Sequence, residues 1–205
     1  MEIMTASGAA LTELDEPDSP GFLMVLTHGA GGGVDSPDLL AARQAARALG
    51  AAVARVLQPY RVRGARAPGS AVRQDAAWLE IIDALRERFP GIPLVQGGRS
   101  NGARVACRTA SAAGARAVVA LAFPLHPPGR ADQSRAGELR QAGVPVLVVN
   151  GDRDPFGIPD SAGTARVVVL PGETHALSRH PETVRQAVQA WLREILEPAR
   201  GVTGG

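Results

Sequence analysis

The sequence predicts an α/β protein, a single domain built on a mostly parallel, doubly wound sheet. Three observations carry this prediction. From Phe22 onward, short apolar runs of strand length alternate with longer amphipathic runs of helix length. That is the pattern of a parallel sheet covered by helices on both faces. The apolar runs are continuous rather than alternating, as in strands buried on both sides. Finally, the residues able to carry chemistry fall just after such runs, at the strand ends where parallel sheets place their sites. At 205 residues the chain suits one domain with a substantial core. The domain is expected over 1–198, with 199–205 a frayed tail.

Each element has its own signal. Ile3–Thr5 and Ala9–Leu14 read as two short strands, an edge hairpin turned at Gly8, followed by a turn-rich loop from Asp15 to Pro20. Phe22–Thr27 is a buried strand. Ser36-Pro37-Asp38 opens a helix, with an N-cap, a proline at the first position and an acid in the first turn. It runs to about Leu49 and stops at Gly50. Ala52–Leu57 is the next strand, and Gln58–Gly69 a loop carrying Arg61, Arg63 and Arg66. Ser70–Phe89 is an amphipathic helix burying Trp78, Ile81, Ile82, Leu85 and Phe89. Ile92–Val95 leads as a strand into a glycine-rich turn, and Ala103–Ala113 leads out as a helix. Then follow a strand Ala117–Phe123, a helix near Ser134–Ala142, a strand Val144–Asn150, a strand Ala165–Leu170 and a helix Pro181–Leu196.

Composition removes several kinds of chemistry. All 22 basic residues are arginine. Without lysine there is no P-loop nucleotide site and no Schiff-base or pyridoxal-phosphate mechanism. A net charge of +2 gives no argument for nucleic acid. The single cysteine, Cys107, excludes an intrachain disulfide, fits a reducing compartment and reads as a small buried hydrophobe. No signal peptide and no membrane-length apolar run is expected, so the location read from the sequence is cytoplasmic. Four scattered histidines and one cysteine have no metal-ligand spacing. No metal and no cofactor is expected.

The turn itself is Gly98-Arg99-Ser100-Asn101-Gly102, a G-x-S-x-G between strand and helix. In that context the pattern is a nucleophile elbow: a tight, strained turn that lifts a serine hydroxyl above the sheet, near a helix N-terminus that favours negative charge. The bland alternative is a glycine-rich turn with an N-capping serine. Serine needs a base, and histidine has a pKa near working pH. An acid must then fix the imidazole tautomer. Ser100, Asp154 and His175 supply all three, with Asp152 a rival acid whose alternative role is a turn residue. The strand Phe22–Thr27 ends in His28-Gly29-Ala30-Gly31-Gly32-Gly33. A dinucleotide fingerprint fails there because Val34 occupies the third glycine position. An HG-x-G oxyanion loop fits instead.

With these residues in place, the chain resembles the α/β-hydrolase superfamily over nearly its whole length. Within it, it looks like the small, lid-poor branch related to dienelactone hydrolases. More narrowly, it resembles the family of testis-expressed protein 30 and NSL complex subunit 3. That likeness rests on Thr27–Gly32, Gly97–Arg104, Phe123-Pro124-Leu125-His126-Pro127-Pro128-Gly129 and Gly151-Asp152-Arg153-Asp154-Pro155-Phe156-Gly157. The elbow departs from it: such proteins often carry Met-Gly-Gly after the serine, where this chain has Asn101-Gly102-Ala103. The resemblance implies Ser100 as nucleophile, His175 as base and Asp154 as the acid, matching G-x-x-D counted from Gly151. It implies an oxyanion hole of the Asn101 N–H with that of Ala30, or of Gly31.

Most of the remaining candidates carry two readings. His28 shapes the oxyanion loop or takes part in the chemistry, and stands with Ala30, Gly31, Asn101 and His126 among the oxyanion- and substrate-binding candidates. His126 lines the pocket mouth or is a hydrogen-bonded loop residue, and His180 starts a helix. Arg61, Arg63 and Arg66 form a solvated loop or meet an acidic substrate group. Arg99 holds an elbow position that varies freely. Between Phe123 and Val144 there is room for a loop and one helix only, so no large lid and an open, shallow site are expected. The partner expected is a small-molecule acyl substrate, an ester or thioester, and neither nucleic acid nor membrane. The sequence carries no signal for an oligomeric state. An acyltransferase would use the same residues, and a non-catalytic interaction module would use the same fold.

Overall fold

A computed structural model describes residues 1–197. Pro198 and the expected tail, 199–205, lie outside the described residues. The eight strands are β1 (Glu2–Thr5), β2 (Gly8–Asp15), β3 (Phe22–Thr27), β4 (Ala51–Leu57), β5 (Leu94–Arg99), β6 (Ala117–Leu121), β7 (Val146–Gly151) and β8 (Ala165–Leu170). They form one sheet in the order β1-β2-β4-β3-β5-β6-β7-β8. From β4 to β8 every pairing is parallel, while the β1–β2 hairpin joins the edge of β4 antiparallel. The turn into β2 places Gly8 at φ 101, a conformation that suits glycine.

Successive residues of the central strands serve opposite faces. Leu23 and Val25 of β3 join a core with Trp78, Ile81, Ile82 and Leu85. Those four belong to α3 (Ala71–Arg88), which shares this face with α4 (Asn101–Thr109) and α5 (Ala136–Gln141). Phe22, Met24 and Leu26 face the other way, against Leu39, Ala42, Val184, Val188 and Trp191. The partners there are α1 (Pro37–Arg47) and α6 (Pro181–Leu196). Cys107 is fully buried on α4, and burial pushes its thiol up out of the reactive range.

Several boundaries differ from the sequence reading, each for a physical reason. The region 58–69 is not all loop, because Pro59 starts a short helix, α2 (Pro59–Val62), with its ring at the first turn. Ser36 is at the N-cap of α1, but its hydroxyl makes no capping bond and is buried without a partner. Asp38 serves instead, its Oδ1 accepting from the Leu39 N–H at 2.9 Å. The strand expected to end at Val95 continues through Gly97 and Gly98 to Arg99. The helix after it begins at Asn101 rather than Ala103.

This extension explains the glycines of the elbow. A Cβ on Gly98 would meet the Thr27 carbonyl oxygen at 2.6 Å and the Gly102 carbonyl carbon at 2.8 Å. A Cβ on Gly102 would meet the carbonyl oxygens of Thr27 and His28 at 2.6 and 2.7 Å. The end of β3 and the start of α4 are thus packed backbone to backbone. Gly98→Ala is therefore expected to lower the urea midpoint, with a stability loss of about 1–3 kcal/mol from overpacking against backbone that cannot move aside. Gly21→Ala, where nothing lies within 4 Å, is the control and is expected to leave the midpoint near the parent's. Equal midpoints for the two variants would contradict the packing argument.

Candidate active site

Ser100 is at φ 51, ψ −115, between the last residue of β5 and the first of α4. A non-glycine residue at positive φ costs about 1–3 kcal/mol and persists only where its surroundings fix it. Here they do, because the Ser100 N–H donates to the Leu121 carbonyl at 2.9 Å and Gly98 and Gly102 clamp the turn on both sides. The strain aims the hydroxyl at the loop after β8. Ser100 Oγ is 2.9 Å from His175 Nε2, and His175 Nδ1 is 2.8 Å from Asp154 Oδ2. A carboxylate only accepts, so Nδ1 carries the proton and Nε2 is free to accept from the serine hydroxyl. The three residues sit on the loops after β5, β7 and β8, and the sheet brings them together.

Asp154 is held tightly. Its side chain is fully buried beside an imidazole that is 20% exposed. Oδ1 accepts from the Phe156 N–H at 2.9 Å, and Oδ2 accepts from His175 and from Asn150 Nδ2 at 3.3 Å. Asn150 is a residue the sequence reading passed over as a strand end. It is fully buried, and its amide also bonds both backbone groups of Phe123, tying the end of β7 to the end of β6. Phe156 was missed as well. Its ring lies 4.3 Å, centroid to centroid, from that of His175 and covers the imidazole. Asp152, the rival acid, is exposed and accepts from the Gly172 N–H at 2.8 Å. It is a turn residue, and among the described residues it makes no hydrogen bond to His175.

The glycine loop after β3 lies against the elbow. A Cβ on Gly29 would approach the Ser100 Cβ at 3.4 Å. The Gly32 N–H donates to the Gly29 carbonyl at 3.0 Å, which places Ala30 and Gly31 at the tip of a tight turn. Among the described residues, no hydrogen bond engages the N–H of Ala30 or of Gly31. The N–H of Asn101, first in α4, has no intrahelical carbonyl to meet. Asn101 follows the serine directly in the chain, and Ala30 and Gly31 follow Gly29, the loop residue that approaches it. The Asn101 side chain is buried, and its Nδ2 has no partner.

What shapes this loop is the segment after β4. The Tyr60 hydroxyl donates to the Ala30 carbonyl at 2.9 Å, and Arg61 Nε donates to the Gly32 carbonyl at 2.9 Å. Burial pushes the Tyr60 phenol up to about 12, so it remains a donor. Arg63 bonds the Ser7 carbonyl of the edge hairpin, and Arg66 is exposed. Arg61 and Arg63 thus tie this segment to the glycine loop and to the edge hairpin, and Arg63, like Arg66, is exposed to solvent. His28 is fully buried. The Gln58 N–H donates to its Nε2 at 3.0 Å, so its Nδ1 carries the proton and donates to the Gly29 carbonyl at 2.8 Å. It shapes the loop and does not line it. His126 is half-buried: its Nδ1 bonds the Pro127 carbonyl and its N–H donates to the Phe156 carbonyl. The contacts it makes are those of a hydrogen-bonded loop residue. His180 precedes α6, its N–H donating to Glu173 Oε1 at 2.6 Å.

Comparison with known proteins bears on the family and the fold. The sequence model of an alpha/beta hydrolase domain matches residues 20–191. The chain belongs to the alpha/beta hydrolase domain family. Solved α/β-hydrolase-type structures superpose over nearly all of it. Est1E from Butyrivibrio proteoclasticus, in a complex with ferulic acid, aligns at a TM-score of 0.77 and 19% identity, over 97% of this chain and 100% of that one. An α/β serine hydrolase without a lid from Xanthomonas campestris gives 0.76 and 22%, over 97% and 94%. A dienelactone hydrolase from Anabaena variabilis gives 0.75 and 18%, over 95% of each chain. At these identities the likeness is one of fold. None of the curated proteins compared matches the sequence. As in the lid-free relative, no large lid is inserted in this α/β hydrolase: only a loop and α5 separate β6 from β7. Among the described residues, no helix is long and apolar enough to cross a membrane.

Burial lowers the pKa of His28 below the ordinary imidazole value of 6.5. Below 6.5 the unfolded chain therefore binds a proton at this position that the folded hydrolase refuses. The stabilisation is complete above pH 6.5 and is lost progressively as the pH falls toward the depressed folded value. Urea midpoints are expected to fall between pH 7.5 and 5.5, and the fall is expected to shrink in His28→Gln. An equal fall in the variant would contradict a buried neutral His28.

Proposed function

We propose that this α/β hydrolase is a serine esterase or thioesterase, cleaving a small or exposed acyl substrate through an acyl-enzyme. The observation that carries the proposal is the hydrogen-bonded line Ser100–His175–Asp154 beneath a strained elbow. His175 Nε2 takes the hydroxyl proton as Ser100 Oγ attacks the substrate carbonyl. The oxyanion of the tetrahedral intermediate is received by the N–H of Asn101 and that of Ala30, with Gly31 as the alternative donor. Asp154 stabilises the imidazolium, which then gives its proton to the departing alcohol or thiol. A water molecule repeats the sequence on the acyl-serine, releasing the carboxylic acid and restoring the serine.

The short connection between β6 and β7 supports a small or surface-presented substrate. So does the supply of aromatics: two Trp, one Tyr and four Phe in the chain, of which Trp78, Trp191 and Phe123 are committed to the core. The narrower likeness to testis-expressed protein 30 and NSL complex subunit 3 rests on the four loop motifs alone. Those motifs form the loops that meet at Ser100 and Asp154.

The test is hydrolysis of short-chain p-nitrophenyl esters. Ser100→Ala and His175→Ala are expected to abolish turnover. Asp154→Asn is expected to lower kcat by about 10³- to 10⁴-fold, through loss of the productive imidazole tautomer. Asp152→Asn is expected to leave the rate unchanged. Turnover that survives in Ser100→Ala, or an Asp152→Asn loss as large as that of Asp154→Asn, would overturn the assignment.

A further inference from the structure

Arg99 occupies the elbow position between Gly98 and Ser100, where sequence pattern demands nothing. The structure gives it three neighbours at once. Its Nε donates to Asp38 Oδ2 at 2.9 Å, and its Nη2 donates to the His175 backbone carbonyl at 2.8 Å. Its Nη1 lies 3.1 Å from where a Cβ on Gly29 would be. The guanidinium therefore touches the helix α1, the loop bearing His175 and the glycine loop, from the residue next to Ser100. Its side chain is only 17% exposed, and that of Asp38 is fully buried.

The pairing is specific to arginine. A guanidinium is a rigid planar fork whose N–H groups point in fixed, different directions. One arm binds a carboxylate while another binds a carbonyl beyond it. A lysine ammonium on a flexible stem could satisfy one of these acceptors but would not hold them at a set separation. Asp38 is itself fixed, since its other oxygen accepts from the Leu39 N–H. The chain of contacts thus runs from a buried carboxylate on α1, through Arg99, to the backbone of the residue whose imidazole meets Ser100.

We propose that Arg99, anchored and neutralised by Asp38, is the positioning residue for His175, fixing its backbone so that Nε2 stays within hydrogen-bond reach of Ser100 Oγ. This rests on the reading of Ser100 and His175 as nucleophile and base. Asp38 has a second effect. It cancels a positive charge that would otherwise stand beside an imidazole that must itself become positive during catalysis. The hydrogen bonds of Arg99 go to Asp38 and to the His175 backbone carbonyl and act through His175, so its contribution is expected on kcat rather than on substrate binding.

The experiment measures kcat and KM on p-nitrophenyl acetate for the parent, Arg99→Lys, Arg99→Ala and the double variant Asp38→Asn/Arg99→Gln. The double variant leaves no unpaired buried charge, so it keeps the test open where a single Arg99 variant fails to fold. A kcat loss of about 10- to 100-fold with little change in KM is expected in all three. Millimolar guanidinium is expected to restore part of the kcat of Arg99→Ala and to leave the parent unchanged. Parental kcat in Arg99→Lys and in the folded double variant, or a loss confined to KM, would overturn the proposal. In either case the parent's own activity against that of Ser100→Ala reports separately on the nucleophile. An inactive parent would remove that reading, and this inference with it.

Discussion

The backbone contact between the end of β3 and the elbow governs this molecule. Thr27 and His28 present their carbonyl oxygens to the Cα positions of Gly98 and Gly102 at separations where a Cβ would collide. The candidate site stands on that contact. It lets β5 run on through its glycines to Arg99, and it brings the N-terminus of α4 up against the loop of Ala30 and Gly31. It also holds Ser100 at a positive φ that an isolated chain would not adopt. The strain is local, and the central strands that over-determine it are deeply buried, with every residue of β3 and β6 buried.

Around that point the fold uses polar contacts to connect loops, rather than to cover a core. Asn150 ties the ends of β6 and β7 together and orients Asp154. Tyr60, Arg61 and His28 fix the glycine loop from the β4 side. Arg99 and Asp38 reach across to the loop of His175. Each tie is a buried or half-buried hydrogen bond to backbone or carboxylate, the kind that is costly to leave unmade. A site held this way is preorganised before a substrate arrives, which is what electrostatic stabilisation of a developing oxyanion requires.

Most of the fold, and the residues that meet at the centre of the candidate site, were legible in the sequence. β3, β8 and α6 were readable to the residue, because a continuous apolar run or a proline-started amphipathic run has sharp ends. Ser100, Asp154 and His175 were readable because each is a reactive residue type placed just after a strand. The short helix α2 was hidden inside a proline- and arginine-rich stretch. Asn150 and Phe156 were hidden because neither type announces a role in orienting a carboxylate or covering an imidazole. Arg99 was hidden most deeply. Its partner Asp38 is 61 positions away and reads by itself as an ordinary first-turn acid. Only the folded chain shows that the two meet behind His175.

Covalent capture tests whether Ser100 is an activated nucleophile without any knowledge of the natural substrate. The folded protein is treated with a fluorophosphonate and read by intact mass, then by the tryptic fragment Ser100–Arg104. A single adduct on that fragment is expected, absent when the protein is unfolded before treatment. A folded protein that takes up no phosphonate, or takes it up at another serine, would contradict it.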